Sequence, residues 1–120
     1  MKIEIVAILD RGNAANERLH LRALSACDLR YFLVFATKYS NPNAIANPPK
    51  RVHWFRSKSV KAGDTVVLYT RKGNSSETLN PNGVTSHFEF WGLDAPVWNS
   101  PEDCAVVIEI NTWATSPYLK

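Results

Sequence analysis

Hydrophobic and polar residues alternate with a period of two along most of this chain, the pattern of strands half-buried on one face. The clearest case is Glu17–Ala23, where Leu19, Leu21 and Ala23 share one face and Arg18, His20 and Arg22 share the other. A short helix over Leu19–Leu24 would not keep so strict a period. His87–Trp91 alternates too, with Phe88 and Phe90 on one side and His87, Glu89 and Trp91 on the other. Lys2–Leu9 sets Ile3, Ile5, Ala7 and Leu9 against Lys2, Glu4, Val6 and Ile8. Tyr31–Lys38 is aromatic and β-branched enough for a strand buried on both faces. Arg51–Phe55 reads as a short strand, Thr65–Thr70 is the strongest β run, and Cys104–Ile110 is apolar except for Glu109. The expected core is Leu19, Leu21, Leu33, Phe35, Val66, Leu68, Phe88, Phe90, Val106 and Ile108.

Turn chemistry separates these runs. Asp10-Arg11-Gly12-Asn13 ends a strand, Lys61-Ala62-Gly63-Asp64 opens the next β run at Thr65, Gly92–Pro96 breaks the alternation after Trp91, and Ser100–Asp103 is a further turn. Ser40–Lys50, with Asn41-Pro42-Asn43 and Asn47-Pro48-Pro49, reads as a long loop, since proline donates no amide to a ladder. Lys72–Ser86 is a second long polar loop, of a length seen mostly in functional or mobile segments. The tail Thr112–Lys120 carries Trp113 and Tyr118, which would dock it back on the domain. No segment has a helical period. About seven or eight strands at this spacing predict an all-β, antiparallel sandwich, one domain over residues 1–120.

Composition agrees and narrows little. Hydrophobic residues make up 45% and charged residues 21%, ordinary for a folded chain. The formal net charge of +3 permits, without requiring, attraction to an anionic partner. The two cysteines, Cys27 and Cys104, are too few for a disulfide scaffold. A bridge between them would fit a sandwich, but two free thiols is the preferred reading. Cys104 shares a face with Val106 and Ile108 and is expected in the core. The first residues show no signal-peptide pattern, and no apolar run reaches the roughly 20 residues of a membrane helix. A cytoplasmic location and no membrane partner are the expectations.

Candidate chemistry is sparse. His20, His53 and His87 each sit between apolar neighbours on a strand and are expected to face outward. None has a zinc-like neighbour at short spacing, so neither a metal nor any other cofactor is expected. Asp64, Asp94 and Asp103 lie in turns, where an Asp side chain satisfies backbone amides more often than it performs acid–base work. Trp98-Asn99 reads as a buried corner anchor. Arg18, His20 and Arg22 form one positive stripe, and Arg51, Arg56 and Lys58, with Trp54 among them and Lys50 and Lys61 nearby, form another. If the two converge, they make a surface suited to phosphates and stacked bases. The plainer reading is a solvated β face carrying Glu4, Glu17 and Asp64 as well.

Three stretches resemble the lamin-tail domain. Asn16-Glu17-Arg18-Leu19-His20-Leu21, followed by Asp28-Leu29, is similar to that family's early strand. Val60-Lys61-Ala62-Gly63-Asp64-Thr65-Val66-Val67-Leu68-Tyr69-Thr70, with Lys72-Gly73, resembles its "L-x-x-G-x-x-V" segment. Trp98–Val107 resembles its "W-N-x-x-G-D" segment, with Glu102 in place of the usual Gly. Tyr31-Phe32 stands where the family often has Gly-Trp. The resemblance implies an immunoglobulin-like sandwich acting as a non-enzymatic binding module. Its expected partner is another protein, with nucleic acid as a weak, non-specific one, and the expected contacts are Arg18, His20, Arg22, Arg51, Trp54, Arg56 and Lys58. The alternative is a small hydrolase, or a carbohydrate-processing or carbohydrate-binding domain, with its site near Trp91 and Asp94.

Overall fold

A computed structural model describes residues 1–45 and 49–119. Among them the protein is all-β, with a single 3-10 turn at Leu29–Tyr31. The strands are β1 (Ile3–Leu9), β2 (Arg18–Ala23), β3 (Cys27–Asp28), β4 (Phe32–Asn41), β5 (Ala44–Ile45) and β6 (Arg51–Trp54). They continue with β7 (Ser59–Val60), β8 (Thr65–Tyr69), β9 (Ser76–Leu79), β10 (Thr85–Phe90) and β11 (Asp103–Glu109). A first sheet runs β1-β2-β8-β10-β9. A second joins β11, β4 and β5, with β6 also paired to β4, and β3 pairs with β7.

The two main sheets share one core. Leu19, Leu21, Ala23, Val66 and Leu68 come from the first sheet, Phe32, Val34 and Ala36 from the second. Trp98 is wholly buried among them, and its indole N–H donates to the Cys104 carbonyl at 3.0 Å. The expected inward residues of β2 and β8 are therefore correct. Those of β4 and β11 are displaced by one position. Phe32, Val34 and Ala36 face the core with Ala105 and Val107 behind them, while Leu33, Phe35, Val106 and Ile108 are only half-buried. Cys104 falls in this outward row, paired with Thr37, and it is Cys27 that packs against the core. Both thiols are free.

Two further expectations are corrected. The Lys72–Ser86 loop contains β9, which forms a hairpin with β10. Because that hairpin folds back between β9 and β8, β10 runs parallel to β8, so the first sheet is mixed rather than antiparallel. The crossing at Gly73 is tight, since an added Cβ would stand 2.5 Å from Phe90 Cδ2. β4 also extends to Asn41 and pairs with β5, so the expected loop from Ser40 begins as a hairpin. Of its Asn47-Pro48-Pro49 portion, Asn47 and Pro48 lie outside the described residues. The tail does dock in part, with the Trp113 ring 5.5 Å from Tyr31 and 5.4 Å from Trp54, but Tyr118 is exposed.

Glu17, only 1% exposed, locks the loop after β10 onto β2. One carboxyl oxygen accepts from Thr70 Oγ1 at 2.7 Å and Val97 N at 2.8 Å. The other accepts from Gly12 N at 2.9 Å and Trp98 N at 3.1 Å. Replacing it by Gln puts an amide N–H₂ against donors that need an acceptor. Glu17→Gln should cost about 2–4 kcal/mol in urea unfolding, well above Glu4→Gln on the exposed face. Leu21→Ala should cost about 2–5 kcal/mol and Leu33→Ala clearly less. Equal costs for the two leucines would contradict the side assigned to Leu33.

Candidate functional site

The register of β10 against β8 decides what lies beneath the first sheet. His87 pairs with Val66 and Glu89 with Leu68, so His87 and Glu89 face inward. The expected orientation was the reverse. Phe88 and Phe90 instead occupy the outer face, where Phe90 stacks on Tyr69 at 5.2 Å and 14°. The Arg71 guanidinium caps both rings, 4.8 Å from Tyr69 and 5.0 Å from Phe90. Inward polar residues are tolerated on β10 because the segment Arg56–Lys58 faces them there, joined to β9 and its approach by polar contacts.

A polar cleft of about 320 Å³ results, lined by Arg56, Ser57, Lys58, Ser75 and Glu89. Glu89 Oε1 accepts from Ser75 Oγ at 2.9 Å, and Ser75 Oγ accepts from Arg56 Nη2 at 2.8 Å. Glu89 Oε2 is buried without a hydrogen-bond partner among the described residues. Next along β10, His87 Nε2 lies 2.9 Å from Asp64 Oδ2. Its Nδ1 is 3.5 Å from Glu77 Oε2, close enough for an ion pair but without hydrogen-bond geometry. Glu77 also offsets Lys58 at 3.9 Å.

Asp64 does the structural work expected of a turn aspartate. It accepts from the amides of Lys61 and Thr85, both at 3.0 Å, besides contacting His87. Burial pushes its pKa up, but these donors and the His87 ring more than offset that, leaving it below its ordinary 3.8. Asp103 behaves alike: burial opposes ionisation, while Ser100 N at 2.8 Å and Lys50 Nζ at 3.3 Å hold its pKa low. Burial raises the pKa of both cysteines, which leaves the thiols protonated at neutral pH. Among the described residues, no group of three or more His, Cys, Asp or Glu could hold a metal ion.

The expected basic surface is divided between the sheets. Arg18, His20 and Arg22 are on the outer face of β2, where Arg18 pairs with Asp10 at 2.6 Å and Arg22 with Glu4 at 2.8 Å. Arg51 and Trp54 belong to β6 in the second sheet, and Arg56 and Lys58 line the polar cleft. The Trp54 indole donates to the Arg30 carbonyl at 2.7 Å. Near the alternative site, an open depression of about 680 Å³ is lined by Lys50, Arg51, Gly92–Val97 and Asn99. Asp94 is the sole carboxylate in that lining and pairs with Lys72 at 3.1 Å. The Trp91 ring is 5.8 Å from Trp98 and 5.6 Å from His53. Trp91 thus packs against the core instead of lining the depression.

The outer face of the second sheet is the largest departure from the sequence reading. Register aligns Val106, Phe35 and Val52 in one cross-strand row and Ile108, Leu33 and Trp54 in the next. Both rows point away from the shared core, and Val52 and Trp54 remain 50% and 47% exposed. Glu17, Ser75 and Glu89 were missed for a different reason: each looks like an ordinary surface residue until its burial or partners are known. Comparison with models of known protein families finds no match, and comparison with curated proteins finds none either.

His53 faces inward, contrary to expectation, its ring 4.8 Å from Phe55 in an edge-on contact. Burial lowers its pKa from 6.5 to about 4. The unfolded chain therefore binds more protons between pH 6.5 and 4, so stability falls as pH drops through that window and levels off below it. The loss should be about 2–3 kcal/mol. His20, lowered by burial and by Arg18, adds to it with the same sign. Asp64 and Asp103 act only at lower pH, losing their contribution below their ordinary 3.8. Denaturant midpoints measured from pH 7 to 4 should flatten in His53→Phe. An unchanged slope would remove His53 as the cause.

Proposed function

We propose that this protein is a non-enzymatic, protein-binding module of lamin-tail type, and that its contact surface is the outer face of the second sheet. The observation that carries this reading is the pair of apolar rows, Val106–Phe35–Val52 and Ile108–Leu33–Trp54. The reverse side of the same strands already supplies Phe32, Val34, Ala36, Ala105 and Val107 to the core. A sheet apolar on both faces is typical of sheets covered on both sides. The occupant is a complementary apolar surface of another protein chain, because neither row contains a charge to attract an ionic ligand. The order of the three lamin-tail-like motifs supports the same class. Arg18 and Arg22 lie on the first sheet, each already held by a carboxylate on or just after β1, and are poorly placed to add a phosphate-binding surface.

The test uses the intact chain and a Val52→Glu variant as baits in an extract of the native host. Val52 is exposed, so the variant should fold normally, confirmed by its unfolding curve. A partner recovered by the native chain should bind the variant at least about tenfold more weakly, since the new carboxylate would be buried without a counter-charge. Amide exchange with the purified partner should protect β4, β6 and β11. Equal binding by the variant, or protection confined to other strands, would overturn the assignment of the face. Substrate turnover that disappears in a folded Asp103→Ala variant would overturn the non-enzymatic reading.

A further inference from the structure

We propose that the cleft between Arg56–Lys58 and the Ser75–Glu89 pair is a binding site for a small zwitterion carrying an ammonium and a carboxylate on one carbon, the class of the free α-amino acids. This site is independent of the apolar face and shares no residue with it.

Three observations carry it. First, Glu89 is 6% exposed, lines the cleft, and keeps Oε2 without a hydrogen-bond partner. Buried carboxyl oxygens are seldom left unsatisfied, because the lost hydration is not replaced. A group that donates to it is wanted there, and an ammonium donates with the added strength of opposite charge. Second, the Arg56 guanidinium on the other wall donates to Ser75 Oγ but makes no ion pair among the described residues, whereas Lys58 beside it is already offset by Glu77. Arginine offers a planar fork suited to a carboxylate. Third, a single hydroxyl, Ser75 Oγ, bridges the two, hydrogen-bonded to Glu89 on one side and Arg56 on the other.

The cleft therefore presents an acceptor and a cation one side chain apart, which suits a donor and an anion separated by one or two bonds. A lone anion would leave Glu89 Oε2 unsatisfied, and a lone amine would leave Arg56 unpaired. The volume of about 320 Å³ lies at the small end of ligand pockets. All five lining residues are polar, which favours a small or polar side chain over a large apolar one. Arg56 and Ser75 are both exposed, so their mutual hydrogen bond can open to admit the ligand. Arg56 then passes from the serine hydroxyl to the ligand carboxylate.

The experiment is an NMR titration of the full chain with glycine, serine and aspartate, with acetate and methylamine as one-charge controls. Saturable shifts at the amides of Ser75, Glu89 and Arg56 are expected with the zwitterions, and at most weak ones with the controls. Arg56→Gln, an exposed change, should weaken binding by about tenfold or more, and Glu89→Gln similarly, while Arg22→Gln leaves it unchanged. Should Glu89→Gln fail to fold, Arg56→Gln and the control ligands still decide. Acetate binding as well as glycine would reduce the site to an anion site and overturn the proposal. So would the absence of saturable shifts with any zwitterion, or a crystal grown with glycine that shows only water on Glu89 Oε2.

Discussion

The fold depends on a buried carboxylate. Glu17 stands at the start of β2 and gathers four donors from three separate parts of the chain: Gly12 before it, Thr70 after β8, and Val97 and Trp98 far downstream. Thr70 N in turn donates to the Glu17 carbonyl at 3.2 Å, so main chain and side chain hold the same junction. The consequence reaches the core through Trp98. With the backbone amide of Trp98 fixed by Glu17 and its indole by Cys104, the largest buried ring has little freedom to move. Carboxylates that accept several backbone amides replace their lost hydration with fixed donors, and so can be buried where an unpaired one could not.

That anchoring explains why the aromatic corner is structural. Trp91, His53 and Phe55 lean on one another and on Trp98, between the end of the first sheet and β6. A histidine inside such a cluster is withdrawn from the solvent that would stabilise its charged form, which is why burial lowers its pKa. The exposed aromatic group is elsewhere. Trp54, Trp113 and Tyr31 meet at the rim of the second sheet, at the edge of the two apolar rows.

Legibility in the sequence followed the contrast between the two faces of each strand. β2 and β8 were readable because Leu19 and Leu21 oppose Arg18, His20 and Arg22, and because Val66 and Leu68 pair with them. β4 and β11 are apolar on both faces, so alternation identified the strands but could not say which face was inner. A shift of one residue exchanges the faces completely. β10 misled in the opposite sense: Phe88 and Phe90 are the more hydrophobic set, yet they stack with Tyr69 under Arg71 on the outside. β9 carries no apolar alternation at all, since Ser76–Leu79 is exposed throughout, and its strand character comes from pairing with β10. The positive residues were visible one by one. Their division between two sheets depends on strand order, which no local pattern encodes.

The reversed face of β10 follows from topology. Inserting β10 between β8 and β9 carries the first sheet beyond the apolar centre of the core, which draws on β2 and β8 of that sheet. What faces the inner side of β10 is a connecting segment, Arg56–Lys58, whose own backbone and side chains are polar. Apolar residues at positions 87 and 89 would there meet charged groups, whereas His87 and Glu89 meet Asp64, Glu77 and Ser75. Each of these contacts satisfies one atom of its residue and leaves another open, His87 Nδ1 and Glu89 Oε2. A region evolved only to be filled would favour side chains with no atoms left over. Two incomplete polar side chains at alternate positions of one strand, the second beside a guanidinium that has no ion pair among the described residues, are better explained by a ligand than by packing.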